Sequence, residues 1–250
     1  MLKEIKDINY YSNQYLDLFI PENDSFYTIL FIHGGGLVEG DKNESHQFVR
    51  HLVNLGYAVS TINYSYLKDA DHKTILTQAA NAVKYTLENI NKYGTSKGLV
   101  IMGQSAGAWI TLMLCLNKQY FKEYKIEETQ IIGYVSDSGQ PTTHYHILEC
   151  ERGLDPLLQR IDEAAPLFYL NKQSTFPPML LTVYEKDLPN RLEQNQLFKS
   201  SIKNINPSLD VTLLILKGQH CHGSCEIDSD GEYELIKVFQ NWAIAKIIKK

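Results

Sequence analysis

Cysteine is scarce in this chain, with four residues in 250, at positions 115, 150, 221 and 225. That number and spacing do not make the dense disulfide framework that staples small secreted domains. Cys115 sits inside an apolar run and reads as a small core residue. Cys221 and Cys225 are near enough to bridge, yet such a bridge is unusual in a reducing cytosol. Long apolar runs are missing too. None approaches the roughly 20 residues of a membrane span, and the N-terminal Met1-Leu2-Lys3-Glu4-Ile5-Lys6-Asp7 is charged where a signal peptide would be apolar. A cytoplasmic protein is the expectation. Positive charge is in deficit: 24 Lys and Arg against 29 Asp and Glu leave a net charge of −5, which argues against a nucleic-acid partner. The one basic cluster, Lys246-Ile247-Ile248-Lys249-Lys250, reads as a helix end whose cations face the negative pole of the dipole. Neither a nucleic-acid nor a membrane partner is expected, and the oligomeric state stays open.

With 44% hydrophobic residues over this length, the chain can bury one large core, and one domain spanning 1–250 is expected. Strand-like apolar stretches at Tyr15–Ile20, Tyr27–Ile32, Tyr57–Ile62, Leu99–Met102, Ile131–Val135, Met179–Tyr184 and Val211–Leu216 alternate with helical periodicity. The helical stretches are Glu44–Leu55, a run capped by Asp69 or Asp71 and ending at Gly94, Ala108–Leu114, Asn190–Lys203 and Gly231–Ile248. Strands separated by helices indicate an α/β fold with a mostly parallel sheet covered on both faces, and ligands then bind at the strands' C-terminal ends. Between Ser138 and Leu170 the pattern breaks. An insertion there is expected to form a short cap, with His144 and His146 satisfying loop hydrogen bonds.

Two motifs carry chemistry. Gly103-Gln104-Ser105-Ala106-Gly107 joins a strand to a helix and puts a serine on the corner. Such a nucleophile elbow needs small flanking residues, because strand and helix approach closely around a strained serine. Some seventy residues upstream, His33-Gly34-Gly35-Gly36 follows another apolar run. Glycine amides without side chains can turn toward the oxyanion that forms when serine attacks a carbonyl, so Gly35 and Gly36, with the amide of Ala106, are the expected oxyanion hole. His33 reads as a residue that fixes the loop's shape.

The order of these motifs resembles the α/β-hydrolase superfamily, and within it the small esterases with an HGGG loop, the group that includes hormone-sensitive-lipase-like carboxylesterases and kynurenine formamidases. His33-Gly34-Gly35-Gly36-Leu37-Val38-Glu39-Gly40-Asp41-Lys42 is similar to that group's HGGGW-x-x-G-D-K loop, departing at Leu37 where an aromatic is usual. Asn63-Tyr64 is a further match. The resemblance runs from about Leu16 to the C-terminus and implies the order serine, acid, histidine. The acid position falls on Asp187, after the strand Met179–Tyr184, with Glu185 and Asp137 as competitors. The base position falls on His220 in Gly218-Gln219-His220, with His222 beside it.

His220, Cys221, His222 and Cys225 also invite a metal reading, but their spacing lacks the second ligand pair of a zinc site, so no metal or other cofactor is expected. The chain is thus expected to be a serine esterase acting on small, short-chain carboxylic esters. Three readings stay open beside it: an arylformamidase, an acetyl or feruloyl carbohydrate esterase, and a pseudo-hydrolase that only binds a small molecule.

Overall fold

The computed structural model describes residues 3–248; Met1, Leu2 and the last two lysines of the basic cluster, Lys249 and Lys250, lie outside the described residues. The elements run β1 (Lys3–Tyr11), β2 (Gln14–Ile20), β3 (Ser25–Ile32), α1 (His46–Asn54), β4 (Ala58–Ile62), α2 (His72–Asn89), β5 (Thr95–Gln104), α3 (Ala106–Leu116), α4 (Gln119–Glu123) and β6 (Ile131–Asp137). They continue with α5 (Pro166–Tyr169), β7 (Met179–Lys186), α6 (Arg191–Ile205), β8 (Val211–Gln219), α7 (His222–Cys225) and α8 (Glu234–Ala243). The eight strands form one sheet in the order β1-β2-β4-β3-β5-β6-β7-β8. β1 and β2 run antiparallel, and the strands from β4 to β8 are parallel.

Apart from the edge strand β8, the parallel strands are largely buried on both faces, and their side chains alternate between two apolar layers. In β3, Leu30 and Ile32 join the layer under α2, α3 and α6, while Ile29 and Phe31 join the layer under α1 and α8. α3 is apolar all round and buried at every position, as befits the helix over the centre of the sheet. From β3 the chain crosses to β4 on one side and later to β5 on the other. The C-terminal ends of β3 and β5 therefore border the crevice where ligands bind in such sheets. The glycine loop leaves β3 there, and Ser105 leaves β5.

Several boundaries differ from the periodicity. The stretch from Glu44 opens as a 3₁₀ turn, Lys42–Ser45, before α1 starts. Asp71, not Asp69, caps α2 by accepting from the Thr74 amide at 2.8 Å, and α2 stops at Asn89 with a 3₁₀ turn before Gly94. The last helix starts at Glu234, three residues beyond Gly231. The 138–170 segment holds a π-helical turn, Ile147–Glu151, and α5. β1 has no counterpart in the apolar pattern. Its strand is held by pairing to β2 and by Asp17, which is fully buried and accepts from the Asp7 amide at 2.8 Å. Asp17 also meets Lys42 Nζ at 2.9 Å and His46 Nε2 at 2.9 Å. Lys42 is itself buried, and its other carboxylate, Asp7, is mostly exposed. Removing one partner of a buried pair leaves an uncompensated charge. Asp17→Ala is therefore expected to lower stability by about 3–5 kcal/mol in urea unfolding; a loss under about 1 kcal/mol would show that the cluster contributes little.

Candidate active site

Ser105 has φ 52° and ψ −113°, a conformation that L-residues avoid. Two contacts on either side hold it there. A Cβ at Gly103 would lie 2.1 Å from the Gly107 carbonyl oxygen, and one at Gly107 would lie 2.1 Å from the Ile32 carbonyl oxygen. β3, β5 and α3 thus meet with no room for side chains at either glycine. The Ser105 amide donates to the Asp137 carbonyl at 2.8 Å, which ties the corner to β6.

The structure brings Ser105, His220 and Asp187 together. His220 Nε2 lies 2.8 Å from Ser105 Oγ, and His220 Nδ1 lies 2.5 Å from Asp187 Oδ1. The Asp187 side chain is 2% exposed. It accepts from the Leu188 amide at 2.7 Å and the Tyr184 amide at 3.2 Å, and from Ser138 Oγ at 2.7 Å. Burial opposes its ionisation, but His220, Ser138 and the Leu188 amide outweigh burial and hold the carboxyl below its ordinary value.

The competing positions lie elsewhere. Glu185 is exposed at the end of β7. Asp137 is fully buried beside the site, where it accepts from Thr182 Oγ1 at 2.7 Å, Tyr184 Oη at 3.0 Å and Ser224 Oγ at 2.5 Å. Burial pushes its carboxyl above the usual range despite these donors. Asp137 anchors α7 to the sheet and has no hydrogen bond to His220. His222 faces Glu226 at 3.3 Å and is 39% exposed. Cys221 and Cys225 are free thiols, and among the described residues no three His, Cys, Asp or Glu side chains gather as metal ligands.

In the glycine loop, Gly35 (φ 97°) and Gly36 (φ 63°) occupy backbone space that disfavours side chains. Neither amide has a hydrogen-bond acceptor among the described residues. Ala106 begins α3, so its amide has no partner within the helix. His33 is buried, stacks on Tyr64 with 4.4 Å between ring centroids, and bonds the Gly34 carbonyl at 2.8 Å. Burial pulls its imidazole down to about 4, so it stays neutral and structural. Tyr64 Oη donates to the His33 carbonyl at 2.9 Å, and Asn63 bonds the Lys42 amide at 2.6 Å and Asp41 at 2.8 Å. The Asn63-Tyr64 and Gly40-Asp41-Lys42 motifs therefore serve to shape the loop.

Three contributors escape the sequence patterns. His146, expected to satisfy loop hydrogen bonds, does so across to the glycine loop, with Nδ1 2.6 Å from the Gly36 carbonyl oxygen, a partner the sequence does not name. Ser138 has φ 55°, and its hydroxyl reaches Asp187. Arg191, buried at the start of α6, donates to the Ser138 carbonyl. Neither Ser138 nor Arg191 lies in a recognisable motif, and no signal in the sequence marks either one.

The fold and this hydrogen-bonded serine, histidine and aspartate place the protein in the α/β-hydrolase class. A family model described as BD-FAE matches residues 16–151, more than half of the chain, and the chain belongs to that family. A kynurenine formamidase of Danio rerio is 23% identical over 193 residues, 76% of this chain but only 64% of the relative. Among solved structures, esterase B from Lactobacillus Rhamnosis superposes with a TM-score of 0.82 at 16% identity, covering 99% of this chain and 87% of that one. Esterase 2 of Thermogutta terrifontis, phosphoramylated by tabun, superposes with a TM-score of 0.77 at 16% identity, covering 98% and 94%.

A carboxyl held below its ordinary value stabilises the fold in its ionised form. That contribution is complete above the unfolded-state value of about 3.9 and is lost as pH falls through the folded-state value. Asp187→Asn should therefore lower stability at pH 7, and the gap between variant and parent should narrow in thermal unfolding as pH falls below the unfolded-state value. A gap that widens on acidification would contradict this.

Proposed function

We propose that the protein is a serine hydrolase of small, short-chain carboxylic esters, with Ser105 as nucleophile, His220 as base, Asp187 orienting it, and the amides of Gly35, Gly36 and Ala106 receiving the oxyanion. The continuous chain of hydrogen bonds from Ser105 Oγ through His220 to Asp187 carries this reading. A serine hydroxyl is a weak nucleophile until a base takes its proton. With Nδ1–H donated to Asp187, His220 keeps its Nε2 lone pair for that proton. Ser105 Oγ then bonds the ester carbon, the carbonyl oxygen takes the negative charge, and free loop amides stabilise it. Collapse breaks the ester C–O bond, and His220 returns the proton to the departing alkoxide, which leaves as an alcohol. Water repeats the cycle on the acyl-enzyme, releasing the acid and restoring Ser105.

Residues 138–170 act as a short cap on the one domain. Tyr145 from this segment and Leu188 beside Asp187 border a cavity of about 240 Å³, and the shortness of the segment, rather than that volume, supports a short acyl chain. Each buried CH₂ adds roughly 0.8 kcal/mol while the pocket can hold it. On p-nitrophenyl esters, kcat/KM should peak between acetate and butyrate and fall at least about tenfold by octanoate; a steady rise through decanoate would refute the short-chain reading. Ser105→Ala should leave only the residual catalysis of binding and oxyanion stabilisation, about 10³–10⁴ over water, in a folded protein. His220→Ala should be similarly severe and His222→Ala mild, the reverse of which would move the base.

The kynurenine formamidase relative favours a second reading, cleavage of an N-formyl group by the same machinery with an amine leaving. N-formylkynurenine in the same assay decides it: a kcat/KM above that of every ester would make the protein an amidase first. Acetylated sugars in the panel test the carbohydrate-esterase reading. Ser138→Ala removes a hydrogen bond to a charged group, worth about 1.5–3 kcal/mol, so kcat/KM should fall at least tenfold. Ser138→Gly, which also relieves the left-handed backbone, should lose as much. Full activity in both would show that the Ser138 hydroxyl is dispensable.

A further inference from the structure

The cavity beside the site has polar lining that hydrolysis of simple esters does not use. Leu157, Leu188 and Pro189 supply apolar lining, and Gln140, Gln159, Gln194 and Arg191 supply polar lining. Two of its lining residues contact groups that hold the site. The Leu188 amide donates to Asp187 at 2.7 Å. Tyr145 lies with its ring centroid 4.2 Å from that of His146, the residue that bonds the Gly36 carbonyl. A group held in the cavity is thus bordered by the acid loop on one side and by the support of the glycine loop on the other.

Arg191 is 3% exposed. Of its five N–H donors, one serves the Ser138 carbonyl and one serves Gln140 Oε1 at 3.2 Å, while Nε has no partner. Among the described residues no carboxylate lies within ion-pair distance of it. Asp187 is the first of the negative groups that act on it through space, and that carboxylate is already hydrogen-bonded to His220. A buried guanidinium without an ion-pair partner is a costly arrangement, because desolvation is not offset by a counter-charge. Arg191 opens the first turn of α6, whose dipole adds positive potential. Charge, spare donors and apolar walls together fit an aliphatic chain that ends in an anion.

We propose that this cavity is a carboxylate subsite, so that the preferred esters carry a second, ionised carboxylate that pairs with Arg191. The proposal rests on the serine-hydrolase reading of the adjoining site. Because Arg191 is already desolvated in the folded protein, an entering carboxylate meets a preorganised cation and bears only its own dehydration. The walls cover the methylenes between the two carbonyl groups. The second carboxylate can sit on the acyl side or on the alcohol side of the ester, and paired substrates separate the two.

The test compares monoethyl glutarate with ethyl pentanoate for the acyl side, and carboxymethyl butyrate with ethyl butyrate for the alcohol side, followed by pH-stat titration. In the parent enzyme one anionic ester should exceed its neutral partner in kcat/KM by about tenfold or more, the worth of one charge-assisted contact. Arg191→Gln should collapse that ratio to unity or below, and Arg191→Lys should keep part of it. The ratio is the readout because Arg191 also holds Ser138, so absolute rates on both substrates are expected to drop. If the variants do not fold, pentanoate should inhibit ethyl butyrate hydrolysis by the parent at about tenfold lower concentration than its neutral isostere pentanamide does. Neutral esters turned over faster than, or as fast as, both anionic ones would overturn the subsite and leave the hydrolase reading intact. Failure to turn over any ester of the four would overturn both.

Discussion

Ser105 stands in a backbone conformation that an L-residue does not adopt unaided, and the contact that imposes it is the approach of β3, β5 and α3 to within van der Waals distance of two glycines. Much else depends on that corner. It aims the Ser105 hydroxyl at His220, and it starts α3 so that the Ala106 amide is free at a positive helix end. It also sets the glycine loop close by: a Cβ at Gly34 would lie 3.3 Å from Ser105 Cβ. Strain of this kind persists only where surroundings over-determine it. Here the surroundings are the centre of a parallel sheet and a helix with no exposed residue.

Around the corner, two buried carboxylates divide the work by environment. Asp187 meets an imidazole and several N–H and O–H donors, and its carboxyl lies below its ordinary value. Asp137, completely enclosed, is pushed upward by burial and is spent on Thr182, Tyr184 and Ser224. Ser138 follows Asp137 directly. In its left-handed conformation its hydroxyl reaches Asp187, while Asp137 keeps to the α7 anchor.

Local chemistry made the central features legible from the residues alone. The alternation of apolar strands and amphipathic helices specifies a doubly covered parallel sheet, and the two glycine-containing motifs mark the crevice, because close backbone approach and free amides demand glycine. Asp187 and His220 were reachable only through the order of motifs, since an acid or a histidine after a strand is ordinary in itself. β1 was not legible: its residues alternate weakly, and it is held by pairing with β2 and by the buried Asp17. Arg191, Ser138 and the partner of His146 were equally invisible. Each acts through a contact between residues 49 to 110 positions apart, which no local pattern records.

The proposed activity depends on Ser105 being an activated nucleophile. A fluorophosphonate probe reacts with such a serine and not with an ordinary hydroxyl, and peptide mapping by mass spectrometry locates the adduct. Stoichiometric phosphonylation of the peptide that holds Ser105 is expected, abolished in Ser105→Ala and strongly slowed in His220→Ala. An unlabelled protein, or an adduct on another residue with Ser105 untouched, would contradict it.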